Sequence, residues 1–318
     1  MKTILKNQII AVLFLQGLFV GFGAETEVET KFDIKNEAEF RKLIPPDAKL
    51  EKLAGGMKFT EGPVWVNANG GYLIFSDIPA NQLKKWTKKD GLTTFREPSN
   101  NANGNTIDKQ GRLLTCEHSG RRVSVTEKDG TVKTVVDSYQ GKKLNSPNDI
   151  VVKSDGTIWF TDPPYGIRPE QKELDGNYVF CFDPRKMSLK VVASDFDRPN
   201  GICFSPDEKL LYVADSGKPR HIRVFEVAPD NSLRNGRVFC KIDVGGPDGI
   251  RSDSKGNIWS SAGDGVHIFA PDGTLIGKIL VPETPANLCF GGEDGKTLFI
   301  TARTSLYAIK TAVTGTIK

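Results

Sequence analysis

Six polar side chains recur along the chain at intervals of 39 to 52 residues, and each precedes a short apolar run. We call them the repeat anchors: Glu61, Asn105, Asn148, Asn200, Asp248 and Asn287. Two carboxylates and four amides offer oxygen ligands, which suit a hard divalent cation such as Ca²⁺ or Mg²⁺. Zinc sites prefer His or Cys, and neither stands at an anchor. The alternative is local turn chemistry, because Asn and Asp tolerate the dihedral angles of turns.

One histidine is a candidate for proton transfer. His118 follows Cys116 and Glu117 at the end of an apolar run in the second repeat. Imidazole titrates near neutral pH, so His118 could act as a proton shuttle if it faces the substrate. The alternative is a structural histidine whose hydrogen bonds are satisfied within the fold. The sequence contains no GxSxG, HExxH, P-loop or GxGxxG motif that would indicate another chemistry.

Two further segments predict contacts with a small polar ligand. Residues 100–105 contain four asparagines, and Asn103 and Asn105 are candidates to hydrogen-bond a polyhydroxy substrate. The alternative is a loop that caps its own backbone with these side chains. Tyr165 follows a Pro-Pro step and is predicted to form a wall of the binding pocket, although the same residues could form a rigid turn.

The elements that must position these residues follow from the repeat itself. Each unit consists of an apolar run, a turn of two to four residues and a second apolar run. Glycine stands in five of these turns, at Gly71, Gly111, Gly156, Gly256 and Gly295. A repeat of about 40 to 50 residues with short strands and tight turns is typical of a β-propeller. The sequence therefore predicts an all-β fold, a six-bladed β-propeller whose anchors converge on the central channel.

The segments around the repeats have predicted roles in the same fold. Residues 49–53 are predicted to supply the outer strand of the last blade, beside residues 305–310, because an open ring would expose strand edges. Residues 165–177 form an insertion rich in Pro, Gly and charge, which predicts a loop at the rim of the channel. Helical periodicity outside the N-terminal segment is confined to residues 36–43.

The N-terminus has the pattern of a secretory signal peptide. A basic start is followed by an apolar run over residues 9–20 and by small residues up to Ala24. We expect residues 1–24 to be cleaved, residues 25–48 to form an N-terminal extension and residues 49–312 to form the propeller. The protein is then exported, periplasmic or secreted, with no membrane span after cleavage. The five cysteines lack a CxxC pair and are predicted to be small buried residues.

The charge of the chain indicates no nucleic-acid partner. The 43 basic and 39 acidic residues give a net charge of only +4, and the basic residues are scattered. Nucleic-acid-binding domains instead carry a basic patch or stripe. A small molecule is therefore the expected partner, and the sequence says nothing about the oligomeric state.

Taken together in their order and spacing, several short motifs resemble the senescence-marker-protein/gluconolactonase/luciferin-regenerating-enzyme-like family, and bacterial gluconolactonases most of all. The similarity covers about residues 50–310, and its motifs are Glu61-Gly62-Pro63-Val64-Trp65, Asn103-Gly104-Asn105-Thr106, Cys116-Glu117-His118, Pro147-Asn148-Asp149-Ile150, Thr161-Asp162-Pro163-Pro164-Tyr165-Gly166, Pro199-Asn200-Gly201 and Pro247-Asp248-Gly249.

The resemblance implies a six-bladed propeller with one divalent cation in its channel. The implied ligands are Glu61, Asn200 and Asp248, with Asn148 as a further ligand or substrate contact and Asn105 on the substrate side. Ca²⁺ is the first expectation for the cation, with Mg²⁺, Mn²⁺ and Zn²⁺ as alternatives. The implied activity is hydrolysis of a sugar lactone to the aldonic acid.

The mechanistic hypothesis combines a Lewis acid with a general base. The cation would polarise the lactone carbonyl, and Asp248 would accept the proton of the attacking water. His118 or Asn105 would bind hydroxyls or assist the leaving alkoxide. Two other functions fit the same pattern: a phosphotriesterase or arylesterase-like hydrolase, and a non-catalytic ligand-binding propeller with a structural metal.

Overall fold

Strands arranged as six blades around an axis make up nearly all of the computed structural model, which describes residues 26–316. The segment before the first blade contains β1 (Thr26–Glu27), β2 (Lys31–Ile34), α1 (Glu37–Arg41) and β3 (Leu50–Ala54). Blade 1 contains β4 (Thr60–Val66), β5 (Tyr72–Asp77), β6 (Gln82–Thr87) and β7 (Gly91–Arg96). Blade 2 contains β8 (Ala102–Ile107), β9 (Leu113–Glu117), β10 (Arg122–Thr126) and β11 (Val132–Val136).

A hairpin of β12 (Ser138–Tyr139) and β13 (Lys142–Lys143) leads into the second half of the ring. Blade 3 contains β14 (Ile150–Val152), β15 (Ile158–Asp162), a 3-10 turn (Pro169–Gln171), β16 (Tyr178–Asp183) and β17 (Ser188–Ala193). Blade 4 contains β18 (Pro199–Phe204), β19 (Leu210–Asp215), β20 (His221–Val227) and β21 (Leu233–Lys241). Blade 5 contains β22 (Ile250–Ser252), β23 (Ile258–Ser261), β24 (Gly265–Phe269) and β25 (Leu275–Leu280). Blade 6 contains β26 (Pro285–Gly291), β27 (Thr297–Ala302) and β28 (Ser305–Lys310).

The N-terminal strands close the ring. β3 pairs antiparallel with β28, with Leu50 opposite Ile309, so the predicted outer strand of the last blade is confirmed. The segment predicted as an extension also joins the sheets, since β1 pairs with β3 and β2 pairs with β25. Blades 5 and 6 therefore have five strands each. These additions cover edge strands that would otherwise expose unpaired backbone groups.

The hydrophobic core lies between neighbouring blades. The Trp65 ring of blade 1 stacks on Phe299 of blade 6, with ring centroids 5.3 Å apart. Trp159 meets Phe204 edge-on across blades 3 and 4, again at 5.3 Å. The second strand of each blade is buried on both faces, as in β15 and β23. Because each sheet is packed on both sides, the innermost strands are held rigidly around the axis.

Local predictions are confirmed at the turns, the helix and the cysteines. The five turn glycines have φ angles between +68° and +87°, a region that side-chain-bearing residues rarely adopt. The predicted helical segment forms α1, where Asn36 accepts a hydrogen bond from the Glu39 amide at 3.2 Å and Phe40 is buried. The five cysteines are all buried. Within residues 26–316, no helix has the length and apolar character needed to cross a membrane. The predicted signal peptide lies outside the described residues.

One carboxylate, Glu283, joins the loop before blade 6 to the start of β28 through hydrogen bonds. Glu283 accepts hydrogen bonds from the Thr304 amide at 2.9 Å, from the Tyr307 hydroxyl at 2.9 Å and from the Ser305 hydroxyl. Burial opposes ionisation, but these hydrogen bonds outweigh it and lower the pKa of Glu283 from 4.5 to about 2. Glu283 therefore connects the loop between blades 5 and 6 to β28, the strand with which β3 pairs to close the ring.

This pKa predicts a pH-dependent contribution to stability. A carboxylate with a depressed folded-state pKa stabilises the fold above its unfolded pKa and loses that contribution as pH falls through its folded pKa. We expect Glu283→Gln to lower the melting temperature at pH 7, and the deficit to shrink between pH 4.5 and about 2. Melting curves of both proteins across this range test it, with Glu293→Gln on an exposed loop as control. A deficit independent of pH would show that the charge of Glu283 contributes nothing.

Candidate active site at one end of the channel

The innermost strands of all six blades begin at the same end of the channel. In four blades the first strand residue pairs with the last residue of the second strand, as Thr60 does with Asp77 and Pro199 with Asp215. The residue after this first strand residue occupies what we call the axial position. In blades 3 and 5 the axial residue is the one whose backbone amide donates to the Thr161 or Ser261 carbonyl of the second strand. The axial residues are Glu61, Asn103, Asn148, Asn200, Asp248 and Ala286. Five oxygen-bearing side chains are thereby brought to one mouth of the channel.

Two repeat anchors were assigned to the wrong register. In blade 2 the axial residue is Asn103, because Ala102 pairs with Glu117, and the anchor Asn105 lies two residues further along β8. In blade 6 the axial residue is Ala286, and the anchor Asn287 lies one residue further along β26. A bulge interrupts both pairings, as it also does in blades 1 and 4, so the difference lies in which residue of the segment is polar and not in the backbone. The other four anchors are axial residues, as predicted.

Glycine follows the axial residue in four blades because neighbouring strands approach too closely for a side chain. A Cβ atom on Gly201 would lie 2.2 Å from the Asp248 carbonyl oxygen, and one on Gly104 would lie 2.4 Å from the Asn148 carbonyl oxygen. The amides of both glycines donate to these carbonyls, at 3.1 and 2.7 Å. These hydrogen bonds link the axial residue of one blade to the next blade. The Asn-Gly and Asp-Gly steps are therefore contacts between blades and not turns.

In blades 3 and 5 a buried ion pair lies directly beneath the axial residues. Asp149 stands where other blades have glycine, and its carboxylate accepts from the Arg251 guanidinium at 3.0 Å across the axis. Asp149 is fully buried. Arg251 also lines a cavity of about 650 Å³ towards the opposite end of the channel. The sequence analysis did not identify this pair; the signal was Pro-Asn-Asp at 147–149, where other repeats have Pro-Asn-Gly or Pro-Asp-Gly.

Glu61 is held in place by two donors on one of its oxygens. The Gly62 amide donates to Oε2 at 2.7 Å, and Asn287 Nδ2 donates to the same atom at 3.0 Å. Asn287 Oδ1 accepts from the Leu288 amide at 2.8 Å, so the Asn287 side chain orients Glu61 and has no free oxygen of its own. Burial, and then the neighbouring charge of Asp248, raise the pKa of Glu61 well above its usual value.

Asp248 is the second carboxylate at the mouth. Its backbone amide donates to the Ser261 carbonyl at 3.2 Å, which fixes the chain at the start of β22. Burial is the main cause that raises the pKa of Asp248 to about 7; a hydrogen bond from Asn200 opposes the shift, and the charge of Asp149 adds to it. Two nearby carboxyl groups therefore lack a counter-charge, which a cation would supply.

Asn200 and Asn148 contribute amide groups beside these carboxylates. Asn200 is 4% exposed, and its Nδ2 donates to the Ser216 hydroxyl at 2.9 Å. Its Oδ1 is buried and has no hydrogen-bond partner. Asn148 is also 4% exposed, and its backbone amide donates to the Thr161 carbonyl at 2.8 Å. The buried carbonyl oxygen of Asn200 is thus available to a ligand.

The site fits a hard divalent cation. Its donors are all oxygen atoms: two buried carboxyl groups whose pKa values are both raised, and at least one unpartnered amide oxygen. Within residues 26–316 no three His, Cys, Asp or Glu side chains are grouped closely enough to bind a metal by themselves. Any cation here must therefore use amide oxygens as well as Glu61 and Asp248.

His118 and Asn103 form a buried pair next to the axial ring. Asn103 Nδ2 lies 3.1 Å from His118 Nε2, and Asn103 Oδ1 is buried without a partner. Gly166 packs against the imidazole, since a Cβ atom there would lie 2.4 Å from the His118 Cβ. Burial lowers the pKa of His118 to about 4, so the ring is neutral at pH 7 and its Nε2 accepts from Asn103.

The pKa of His118 predicts its titration. We expect its imidazole to remain neutral until the pH falls to about 4, because burial disfavours the charged ring. The imidazole ¹H–¹⁵N signals recorded against pH measure this, and His118→Gln assigns the signal among the three histidines. A midpoint near 6.5 would contradict the buried environment described here.

Asn105 and Tyr165 differ in what they can offer a substrate. Asn105 Nδ2 donates to the Gly62 carbonyl at 2.8 Å, and its Oδ1 accepts from Thr115 at 2.9 Å, so its side chain holds blades 1 and 2 together. Tyr165 is 40% exposed at the mouth. Burial and the charge of Asp248 raise its pKa, while hydrogen bonds with Ser216 and Asn200 lower it. Both residues remain predicted substrate contacts, and the geometry favours Tyr165.

Comparison with known proteins identifies the family. The model of the SMP-30/Gluconolactonase/LRE-like region matches residues 59–304, and the chain belongs to this family. A gluconolactonase from Zymomonas mobilis subsp. mobilis is 35% identical over 314 residues, covering 90% of this chain and 86% of that protein. A 6-deoxy-6-sulfogluconolactonase from Pseudomonas putida is 27% identical over 251 residues, covering 76% and 82%.

A solved structure agrees with this assignment. The structure of a gluconolactonase from Xanthomonas campestris is 34% identical, with a TM-score of 0.85 over 92% of this chain and 98% of that one. The predicted family, the six-bladed propeller and the class of ester-hydrolysing enzyme are confirmed.

Proposed function

We propose that this protein hydrolyses a sugar lactone to the aldonic acid with the help of one divalent cation. The observation that carries the proposal is the pair of buried carboxyl groups, Glu61 and Asp248, whose pKa values are both raised, beside the unpartnered buried oxygen of Asn200. Lactonase relatives that match most of the chain support the substrate class. Ca²⁺ is the proposed cation, because the donors are all oxygen atoms.

Each residue at the mouth has a role in this proposal. Glu61, Asn148, Asn200 and Asp248 would hold the cation, which when bound supplies a Lewis acid for the lactone carbonyl oxygen. Asp248 would accept the proton of the attacking water, because it is a carboxylate at the mouth and a bound cation would keep it ionised. Glu61 is fixed by two hydrogen bonds and contributes negative charge.

The neighbouring polar groups are suited to bind and orient a polyhydroxy substrate. Asn103 Oδ1 can accept from a substrate hydroxyl, because it is buried and has no partner in the protein. His118 holds the Asn103 amide in that orientation through its neutral Nε2. Tyr165 covers one side of the mouth, where its ring packs against the Arg198 guanidinium at 5.6 Å.

A substrate panel tests the proposed reaction. Purified protein with Ca²⁺ is assayed by proton release against glucono-1,5-lactone, other aldonolactones, an aryl acetate and a phosphotriester, each corrected for spontaneous hydrolysis. We expect the highest kcat/KM for an aldonolactone. A preference for the aryl acetate or the phosphotriester would replace the lactonase proposal with the corresponding hydrolase. No activity from folded, cation-bound protein would favour a binding role.

We also propose that the protein is exported, on the pattern of residues 1–24. Fractionation of cells that produce the full chain tests this: mature protein lacking those residues should appear in the periplasm or medium. Full-length protein retained in the cytoplasm would contradict it.

A further inference from the structure

Ser216 connects two blades directly behind the candidate cation site. It follows β19 in blade 4, and its hydroxyl lies 2.5 Å from the carbonyl oxygen of Pro247, the residue before Asp248. The same hydroxyl lies 2.9 Å from Asn200 Nδ2. One oxygen atom therefore contacts the side chain of one predicted ligand and the backbone next to another.

The proton count at this hydroxyl fixes the orientation of the Asn200 amide. A serine hydroxyl has one proton, and a backbone carbonyl can only accept. The Ser216 hydroxyl therefore donates its proton to the Pro247 carbonyl oxygen. The hydroxyl can then only accept from Asn200, which must present its NH₂ group. Asn200 Oδ1 is consequently turned to the other side, where it is buried without a hydrogen-bond partner.

An unpartnered buried carbonyl oxygen is costly, because it has lost its hydrogen bonds to water. Rotation of the amide by 180° would bring its oxygen against the Ser216 oxygen, whose proton is already used. The orientation is therefore imposed by the neighbours of Asn200 and is in place before any ligand binds.

We propose that Ser216 is a positioning residue that presents Asn200 Oδ1 to the cation. This inference rests on the proposed function, because it assumes that the mouth binds a cation. Ser216 itself contacts neither cation nor substrate in the proposal. It acts through the amide of Asn200, as groups behind a metal site orient the ligands in front of them.

Calorimetric titration of metal-free protein with CaCl₂ tests the proposal without any assay of activity. We expect Ser216→Ala to weaken Ca²⁺ binding by about tenfold to a hundredfold, the effect usual for such second-layer groups. Ser216→Thr keeps a hydroxyl and should restore most of the affinity. Ser252→Ala is the matched control, because the Ser252 hydroxyl also donates across blades to a carbonyl, that of Phe204 at 2.6 Å, away from the site.

A double-mutant cycle separates positioning from general loosening of the blades. In an Asn200→Ala background, Ser216→Ala should cause little further loss, because its effect passes through the Asn200 amide. Equal Ca²⁺ affinity of wild type and Ser216→Ala would overturn the inference and leave the proposed function standing. Additive losses, or a Ser216→Thr variant as weak as Ser216→Ala, would also overturn it. A wild type that binds none of Ca²⁺, Mg²⁺ and Mn²⁺ would overturn both.

Discussion

Asp248→Asn should abolish most of the lactone hydrolysis while leaving the propeller intact. Removing a general base costs about a hundredfold to ten-thousandfold in rate, and the amide cannot take up the proton of the attacking water. We expect kcat to fall within that range in saturating CaCl₂. Asp230→Asn, in an exposed hairpin turn of blade 4, is the matched control and should keep full activity.

The same variant makes an independent prediction about stability. The pKa of Asp248 is raised to about 7 from 3.8, so the ionised carboxyl destabilises the metal-free fold as pH rises through this range. Metal-free Asp248→Asn should therefore melt at a higher temperature than wild type at pH 8 and at a similar temperature at pH 4. Near-normal activity of the variant would show that Asp248 is not the base. A lower melting temperature at pH 8 would contradict the buried, uncompensated charge.

Arg251→Met should cause the largest loss of stability among the substitutions considered. Removing one partner of a buried ion pair leaves the other charge uncompensated, which costs about 3–5 kcal/mol. Asp149 is fully buried, and Arg251 is its partner across the axis at 3.0 Å. Urea unfolding should show this loss, and Ca²⁺ binding should weaken because Asn148 precedes Asp149 in the chain and the charge of Asp149 acts on Asp248.

The double variant provides the control for this prediction. Asp149→Asn combined with Arg251→Met removes both charges, so it should recover a large part of the stability lost in Arg251→Met alone. Losses that simply add would show that the pair contributes packing and not charge compensation. A loss below about 1 kcal/mol in the single variant would show that solvent reaches Asp149.

Repetition made the architecture predictable from the sequence. Two apolar runs joined by a short turn recur in each unit, with a Pro-Asn or Pro-Asp step in three units and a turn glycine in five, and they define a strand, a turn and a second strand. Glycines such as Gly156 and Gly256 adopt the positive φ that the turns require. The closing strand followed from the need to cover the edge of β28, and the structure places it within one residue of the predicted bounds.

The register of two blades could not be predicted from the repeat. In blade 2, Asn103 and Asn105 are both polar, and only the pairing of Ala102 with Glu117 identifies the axial one. In blade 6 the axial residue is the apolar Ala286, and the repeat instead indicates the neighbouring amide, Asn287. A register shift of one or two residues moves an asparagine out of the axial position, where its side chain holds other residues in place and does not face a ligand.

The residues that orient the candidate ligands are identified by contacts between blades, which the sequence does not show. Ser216 and Pro247 are 31 residues apart, and Asp149 and Arg251 are 102 residues apart. Neither pair belongs to a local motif, because both depend on how loops and side chains of different blades meet near the axis. The sequence therefore predicted four of the candidate cation ligands but not the residues that orient them.

Hydrolysis of glucono-1,5-lactone before and after removal of the metal tests the central claim most directly. Wild type and Glu61→Gln are stripped with a chelator, and proton release is followed with and without added Ca²⁺, Mg²⁺, Mn²⁺ or Zn²⁺ against the spontaneous rate. We expect stripped wild type to be inactive and to recover with Ca²⁺, and Glu61→Gln to recover poorly at the same concentration. Full activity of the stripped protein, or no acceleration with any cation, would contradict cation-dependent lactone hydrolysis at this site.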